Sequence, residues 1–181
     1  MRLEVRFAGF GGQGIIKSGI ITATAACIHG GKNAVQTQSY GPESRGGACK
    51  SEVVISDDEI DFPKVTEPDI LVAMSQHAYN DYVDDVKDGG ILILDPDMIP
   101  HEKESRNTRV FHVPATRMAE ELGRRIVANI VMLGAFVAIT AALDESALKD
   151  SIKENVPKGT EELNLAAFQK GYDYGKSLLP T

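Results

Sequence analysis

Four glycines within six positions, Gly9-Phe10-Gly11-Gly12-Gln13-Gly14, form the first stretch that could do chemistry. Glycine loses the most backbone entropy on folding, so such a cluster marks a turn where backbone must approach something closely. The spacing is G-x-G-x-x-G. If a strand precedes it and a helix follows, amides at the helix start can hold a phosphate, helped by the helix dipole. A dinucleotide site also needs an acid about twenty residues on, for the ribose hydroxyls. The segment Ala34-Val35-Gln36-Thr37-Gln38-Ser39 has none, and the first acid beyond it is Glu43. A stand-alone NAD(P)- or FAD-dependent oxidoreductase therefore remains an alternative that lacks its second half. A tight turn with no ligand is another. No Gly-Lys-Ser/Thr follows, which excludes a Walker A loop.

A second group of candidates follows. Ser39-Tyr40-Gly41-Pro42-Glu43-Ser44-Arg45-Gly46-Gly47 combines an aromatic, a cation and three glycines. Arg45 could meet a phosphate or carboxylate bidentately, or pair with Glu43. Tyr40 could stack on a ligand or partner, or sit half-buried. Gln13 could donate toward a ligand, although capping the helix after it is the simpler role. Ser75 and Gln76 follow an apolar run, at the rim where open α/β sheets bind ligands, and Ser75 also suits a helix cap. His77 has no obvious orienting carboxylate beside it and is given no catalytic role. Asn129, in an apolar helix, needs a hydrogen-bond partner, for which the 40–47 segment is one choice. Cys27 and Cys49 are too few for an iron–sulfur cluster and lack zinc spacing, so both are expected to be reduced and buried. The four histidines have no metal-like spacing.

The elements that must position these residues alternate. Residues 3–10 read as a strand with Leu3, Val5 and Phe7 on one face, and 14–31 as a helix stopped by Gly30-Gly31. Residues 33–40 return as a strand, the order of a first βα unit in a parallel sheet. Residues 48–56 alternate like a half-exposed strand, and 57–68 read as an acidic, solvated connection. Apolar runs at 69–75 and 91–97 read as buried strands, with a short helix at 76–90 between them and another strand at 109–115. Helices fill the rest: one at 115–123, a long apolar one at 124–143, one capped by Asp144 and one capped by Thr160. The fold class expected is α/β, a Rossmann-like three-layer sandwich with a mostly parallel sheet and helices on both faces, as a single domain over 1–181.

Composition bounds the function. With 181 residues, 43% hydrophobic and 25% charged, the chain can bury a sizeable core. A net charge of −7 argues against a nucleic-acid binder. The most apolar segment, 126–143, is broken by Asn129, Gly134 and Thr140, so no membrane span is expected. The N-terminus lacks a signal-peptide pattern, which suggests a cytoplasmic protein.

Taken together, the two glycine loops resemble those of the gamma subunit, or gamma domain, of 2-oxoacid:ferredoxin oxidoreductases. That family shows G-x-G-G-Q-G near the start and S-Y-G-x-E-x-R-G-G after the second strand. Asn129-Ile130-Val131-Met132-Leu133-Gly134 resembles its asparagine–leucine–glycine helix. Asn164, Ala167-Phe168 and Gly171 resemble its closing helix. The resemblance implies a non-catalytic subunit of a complex that oxidatively decarboxylates a 2-oxoacid to an acyl-CoA and reduces ferredoxin. Its partners would be an alpha subunit, a thiamine-diphosphate-binding beta subunit and a ferredoxin-like delta subunit. Thiamine diphosphate, magnesium, iron–sulfur clusters and coenzyme A would belong to the complex, not to this chain alone. The cofactor-facing candidates are Gly9, Gly11, Gly12, Gln13, Gly14, Tyr40, Arg45, Gly46, Gly47, Ser75 and Gln76. An indolepyruvate enzyme is a further alternative.

Overall fold

The computed structural model describes residues 1–40, 48–104 and 107–181. Six strands form one sheet in the order β2-β3-β1-β4-β5-β6. They are β1 (Arg2–Phe10), β2 (Asn33–Tyr40), β3 (Ala48–Ser56), β4 (Ile70–Ala73), β5 (Ile91–Leu94) and β6 (Arg109–His112). β1, β4, β5 and β6 pair in parallel. β3 lies between β1 and β2, antiparallel to both. The sheet is mostly parallel, as expected, but the first two strands are not neighbours.

Six α-helices cover it: α1 (Ile15–Thr24), α2 (Gln76–Tyr82), α3 (Ala115–Glu121), α4 (Ala128–Thr140), α5 (Glu145–Asn155) and α6 (Glu161–Ser177). From β1 the chain moves to β2 on one side, whereas β4 leads to β5 on the other. Right-handed crossovers then place α1 and α2 on opposite faces. The main core joins Val5, Phe7, Val53 and Ile55 of the sheet to α1, α3, α4, α5 and α6. Phe7 meets Phe136 edge to face, centroids 5.6 Å apart. The smaller core on the other face gathers Ala8, Leu71, Leu92 and Leu94 under α2.

α4 is buried along nearly its whole length, 128–139, which explains its apolar sequence without a membrane. No helix is long and apolar enough to cross a membrane among the described residues. α6 lies close against α4 because its small residues allow it. A Cβ on Gly171 would collide with the Val131 carbonyl oxygen, and one on Gly175 would lie 2.9 Å from the Ala138 Cβ. Asn164, Ala167, Phe168 and Gly171 are all buried.

Several expectations change. β3 is almost wholly buried, not half-exposed, because it is an interior strand covered on both faces. The acidic 57–68 connection is not simply solvated: Val65 is buried and its carbonyl accepts from Arg6 at 3.2 Å. Arg6 is itself only 2% exposed. It donates to Glu52 (2.8 Å) and Asp85 (2.6 Å) and lies 5.1 Å from the Tyr82 ring centroid. A buried cation is tolerable only with such pairing. The long helix expected at 124–143 is shorter. Arg125–Val127 form a 3₁₀ turn, α4 starts at Ala128, and Ala141 closes it at φ 51°. Asp144 and Thr160 occupy N-cap positions without accepting a capping hydrogen bond. The end of the first helix is a π turn, Ala25–His29, that leaves Cys27 exposed rather than buried.

Candidate functional site

β1 carries the chain into the glycine loop, and in register Gly9 faces Cys49 of β3, which faces Tyr40 of β2. The three strands therefore end in one row. Tyr40 and Ala48, the described residues on either side of 41–47, pair with Cys49 and with Phe10, next to the glycine loop. Arg45, Gly46 and Gly47 themselves lie outside the described residues. The loop also sits at the switch point between β1 and β4, where chain connections diverge and leave a crevice.

The glycines have different reasons. A Cβ on Gly9 would press on the Gln13 carboxamide and lie 2.7 Å from Ile15 Cδ1. Gly12 (φ 94°) and Gly14 (φ 73°) adopt the left-handed backbone that glycine favours. Gly14 is also covered by Asn129, whose Cγ would be 2.8 Å from an added Cβ. Gly11 is different: its backbone is ordinary and a side chain there would meet nothing among the described residues. The amides of Gly11, Gly12 and Gly14 take no hydrogen bond among the described residues. They are free to hold an anion at the start of α1.

Gln13 does not cap α1. Its Oε1 accepts from the Phe10 amide at 2.9 Å, and its Nε2 donates to the Met74 carbonyl at 2.8 Å. It ties the glycine loop to the end of β4 across the switch point. Asn129 donates to the Gly14 carbonyl at 3.2 Å, so it reaches the first glycine loop; residues 41–47 of the second lie outside the described residues. Ser75 is buried, and its Oγ accepts from the Ala78 amide at 3.2 Å as the α2 cap. Gln76 bonds the His101 backbone twice, at 2.8 and 2.9 Å. Both are spent on structure and lie on the far side of Met74 from the glycines. His77 does have a carboxylate nearby, Asp81 at 3.1 Å, one helical turn on. Both are exposed, so it cannot fix the ring for catalysis.

Two cavities flank the glycine loop. A crevice of about 400 Å³, bounded by Gly11, Gly12, Gln13, Met74, Thr116 and Arg125, opens at the ends of β1 and β4. A larger one of about 540 Å³ is lined by Gly11, Gly12 and Gly14 of the loop and runs from Tyr40 and Cys49 to α5 and α6. Its walls include Ile15, Val127, Val156 and Leu163, and its rim carries Lys17 and Arg124. Burial pushes the Cys49 thiol up from its ordinary pKa. Lys17, Arg124 and Ile126 escaped the sequence reading. Ile126 looked like one more apolar position of a long helix, and only the 3₁₀ turn sends it outward.

Among the described residues the site offers unpaired backbone amides and no side-chain cluster of metal-ligand type. Among the described residues no group of three or more His, Cys, Asp or Glu could hold a metal ion. Cys27 and Cys49 sit on different elements, one exposed and one buried.

The sequence pattern of the pyruvate ferredoxin/flavodoxin oxidoreductase family matches residues 4–174. The chain belongs to that family. It is 54% identical to 2-oxoglutarate synthase subunit KorC of Methanocaldococcus jannaschii, covering 98% of this chain and 96% of that one. It is 56% identical to KorC of Methanothermobacter marburgensis, covering 94% and 95%. Identity is 36% to ketoisovalerate oxidoreductase subunit VorA of M. marburgensis, covering 98% of this chain and 37% of that one. Among solved structures, the gamma subunit of a keto/oxoacid ferredoxin oxidoreductase from Geobacter sulfurreducens superposes with a TM-score of 0.87 at 43% identity, covering 97% and 99%. The 2-oxoglutarate:ferredoxin oxidoreductase of Magnetococcus marinus, with 2-oxoglutarate, coenzyme A and succinyl-CoA bound, gives 0.87 at 26% identity. There this chain is covered to 99% but accounts for 32% of that longer one. These relatives are subunits of 2-oxoacid oxidoreductases, and the Geobacter structure is a gamma subunit, which supports that reading over a free-standing dehydrogenase.

Proposed function

We propose that this chain is the gamma subunit of a 2-oxoglutarate:ferredoxin oxidoreductase. The observation that carries the reading is the identity of 54% and 56%, over nearly full length, to 2-oxoglutarate synthase subunits. The ketoisovalerate relative stands further off at 36%. Its partners are an alpha subunit, a thiamine-diphosphate-binding beta subunit and a ferredoxin-like delta subunit, with ferredoxin as electron acceptor. The magnesium and the iron–sulfur clusters belong to those chains, since the described residues here do not suit them. Thiamine diphosphate, when bound by its own subunit, supplies the carbanion chemistry of decarboxylation. Two unpaired cysteines and a ferredoxin-linked reaction fit a cytoplasmic location.

The work of this chain is to bind and orient. The free amides of Gly11 and Gly12 face an anionic group, a phosphate of thiamine diphosphate or coenzyme A, where the crevice and the larger cavity meet, and Gly14 lines the larger cavity beside them. Arg125 on the crevice wall, paired with Glu120 at 3.4 Å, adds a guanidinium beside them. Gly9 and Gln13 hold the loop in shape. Tyr40, Arg45, Gly46 and Gly47 form the neighbouring edge of the same cleft. Ser75 and Gln76 support the crevice from the β4 side through backbone bonds. No residue of this chain is assigned a proton-transfer or covalent step.

The test is anaerobic purification of the native complex, identification of the accompanying chains, and ferredoxin reduction with coenzyme A and each of three substrates. Catalytic efficiency is expected to be highest with 2-oxoglutarate and lower with pyruvate and 2-oxoisovalerate. A preparation without a thiamine-diphosphate or iron–sulfur chain, or one that prefers pyruvate, overturns the reading.

A further inference from the structure

The two edges of the sheet are built differently. β6 is four residues long and carries Arg109 and His112, the latter paired with Glu102 at 2.8 Å. Short strands and charges are the usual protection of an edge against further pairing. β2 has neither. It runs for eight residues, paired without a bulge to β3 from Asn33↔Ser56 to Tyr40↔Cys49, and holds no Asp, Glu, Lys, Arg or Pro. Among the described residues no strand lies on its outer side. A row of backbone N–H and C=O groups is open there, and another strand is what completes such a row.

The helix above this edge is unprotected as well. Residues 18–31 hold no Asp, Glu, Lys or Arg, although 25% of the chain is charged. Gly19 sets α1 on the sheet, where an added Cβ would lie 3.3 Å from Gln36 Cγ. On a second side Ser151 of α5 donates to the Ile21 carbonyl at 2.7 Å. α4 takes the β1 side, where Phe136 meets Phe7. The flank left over, toward β2, carries Ile20, Ala23 and Thr24, all half-buried, and Ile28 at 69% exposed. The open side of a surface helix is normally charged, and this one is apolar.

Antiparallel pairing puts opposed side chains on the same face of a sheet. Pairing β2 with the β2 of a second copy therefore joins even positions to even and odd to odd. Gln36 is turned inward to Ser51 Oγ at 2.9 Å, so the centre falls on Thr37. Thr37 then meets Thr37, Gln36 meets Gln38 and Val35 meets Ser39. No like charges are opposed, and threonine pairs are favourable across strands. The same rule fixes the helices. Gln36 lies on the α1 face, so both α1 helices land on one side of the joined sheet, flank to flank. One two-fold axis completes the strand edge and covers the apolar helix flank together. A lone strand from another chain would complete the first and leave the second in water.

We infer that the β2 edge and the adjoining flank of α1 form a homodimer interface, in which two copies of this chain join their sheets through antiparallel β2 strands. Thr37, Ile20 and Ile28 line neither cavity at the glycine loop, so the inference stands apart from the functional reading.

The test is sedimentation of the purified full chain, with hydrogen exchange of the same sample. The wild-type chain should show twice the 19.5 kDa mass of one copy, with slow exchange in 34–40. Thr37→Lys sets like charges against each other at the axis, and Ile28→Lys charges the helix flank. Thr37 and Ile28 are both exposed, so each variant should keep its circular dichroism. The dimer dissociation constant should rise about tenfold or more in each. A monomeric wild-type chain overturns the inference. So does a dimer that both variants leave intact, since another surface then holds it. Slow exchange in 34–40 that appears only when other subunits are added also overturns it, because the edge then belongs to a different chain. A dimer disrupted by both variants supports the inference even in a preparation that oxidises no 2-oxoacid, a failure that removes only the functional reading.

Discussion

Asn129, at the start of the most buried helix, donates its side-chain N–H to the carbonyl of Gly14, 115 positions earlier. It holds the glycine loop to α4. Gly14→Ala should cost about 2–4 kcal/mol, from overpacking against Asn129 and a strained left-handed residue. Urea unfolding of the isolated chain measures this. A loss under about 0.5 kcal/mol would show that the loop yields easily.

Gly11 separates fold from function. Nothing among the described residues excludes a side chain there. Gly11→Ala should leave unfolding within about 0.5 kcal/mol of wild type. If a cofactor phosphate rests on that amide, the assembled enzyme should lose catalytic efficiency with a raised KM for coenzyme A or a weaker hold on thiamine diphosphate. Unaltered kinetics would remove Gly11 from the site.

The Arg6 cluster predicts an asymmetry. Arg6→Met leaves the buried Glu52 with Lys50, 3.4 Å away, as its remaining cation and should cost about 3 kcal/mol. Adding Glu52→Gln to that variant should recover part of the loss, because a neutral amide is far cheaper to bury than a poorly paired charge. Denaturant titration of the two variants is the measurement. A double variant no more stable than Arg6→Met contradicts the account.

The two thiols should react at different rates. Cys27 is exposed and Cys49 is buried with a raised pKa, so a thiol reagent near pH 8 should modify one site quickly and the second only on unfolding. The same shift sets an alkaline limit. The folded chain keeps the Cys49 proton after the unfolded chain has released it. Stability from this group is thus full below about pH 8.5 and lost as pH rises through the folded value. Tyr82, raised chiefly by burial, adds a loss in the same direction near pH 10 and above. Unfolding midpoints that rise above pH 9 would reverse this reasoning.

Much of the strand–loop–helix order was legible because it is local. The β1 alternation, the loop at Gly9–Gly14 and the stop at Gly30-Gly31 need only near neighbours in sequence. The place of β3 was not legible: its pairing with β1 joins Arg2 to Ser56 and Phe10 to Ala48, and no short-range pattern records that. Ser75 declared its cap because a serine before a helix has one cheap partner. Gln13 did not declare its bond to Met74, and Asn129 declared a need without its recipient. The cations Lys17 and Arg124 converge only after α1 and the 3₁₀ turn before α4 are packed together. The exposure of Cys27 follows from a π turn inside an otherwise ordinary helical pattern.

The antiparallel wedge of β3 has a consequence for redesign. Strand spacing is about 4.8 Å, so inserting β3 moves the end of β2 to about 10 Å from β1 instead of half that. An aspartate grafted at Gln38 would stand a full strand too far away to share a ribose with the glycine loop. Converting this scaffold to bind a nicotinamide cofactor would require removing a buried strand, not adding an acid.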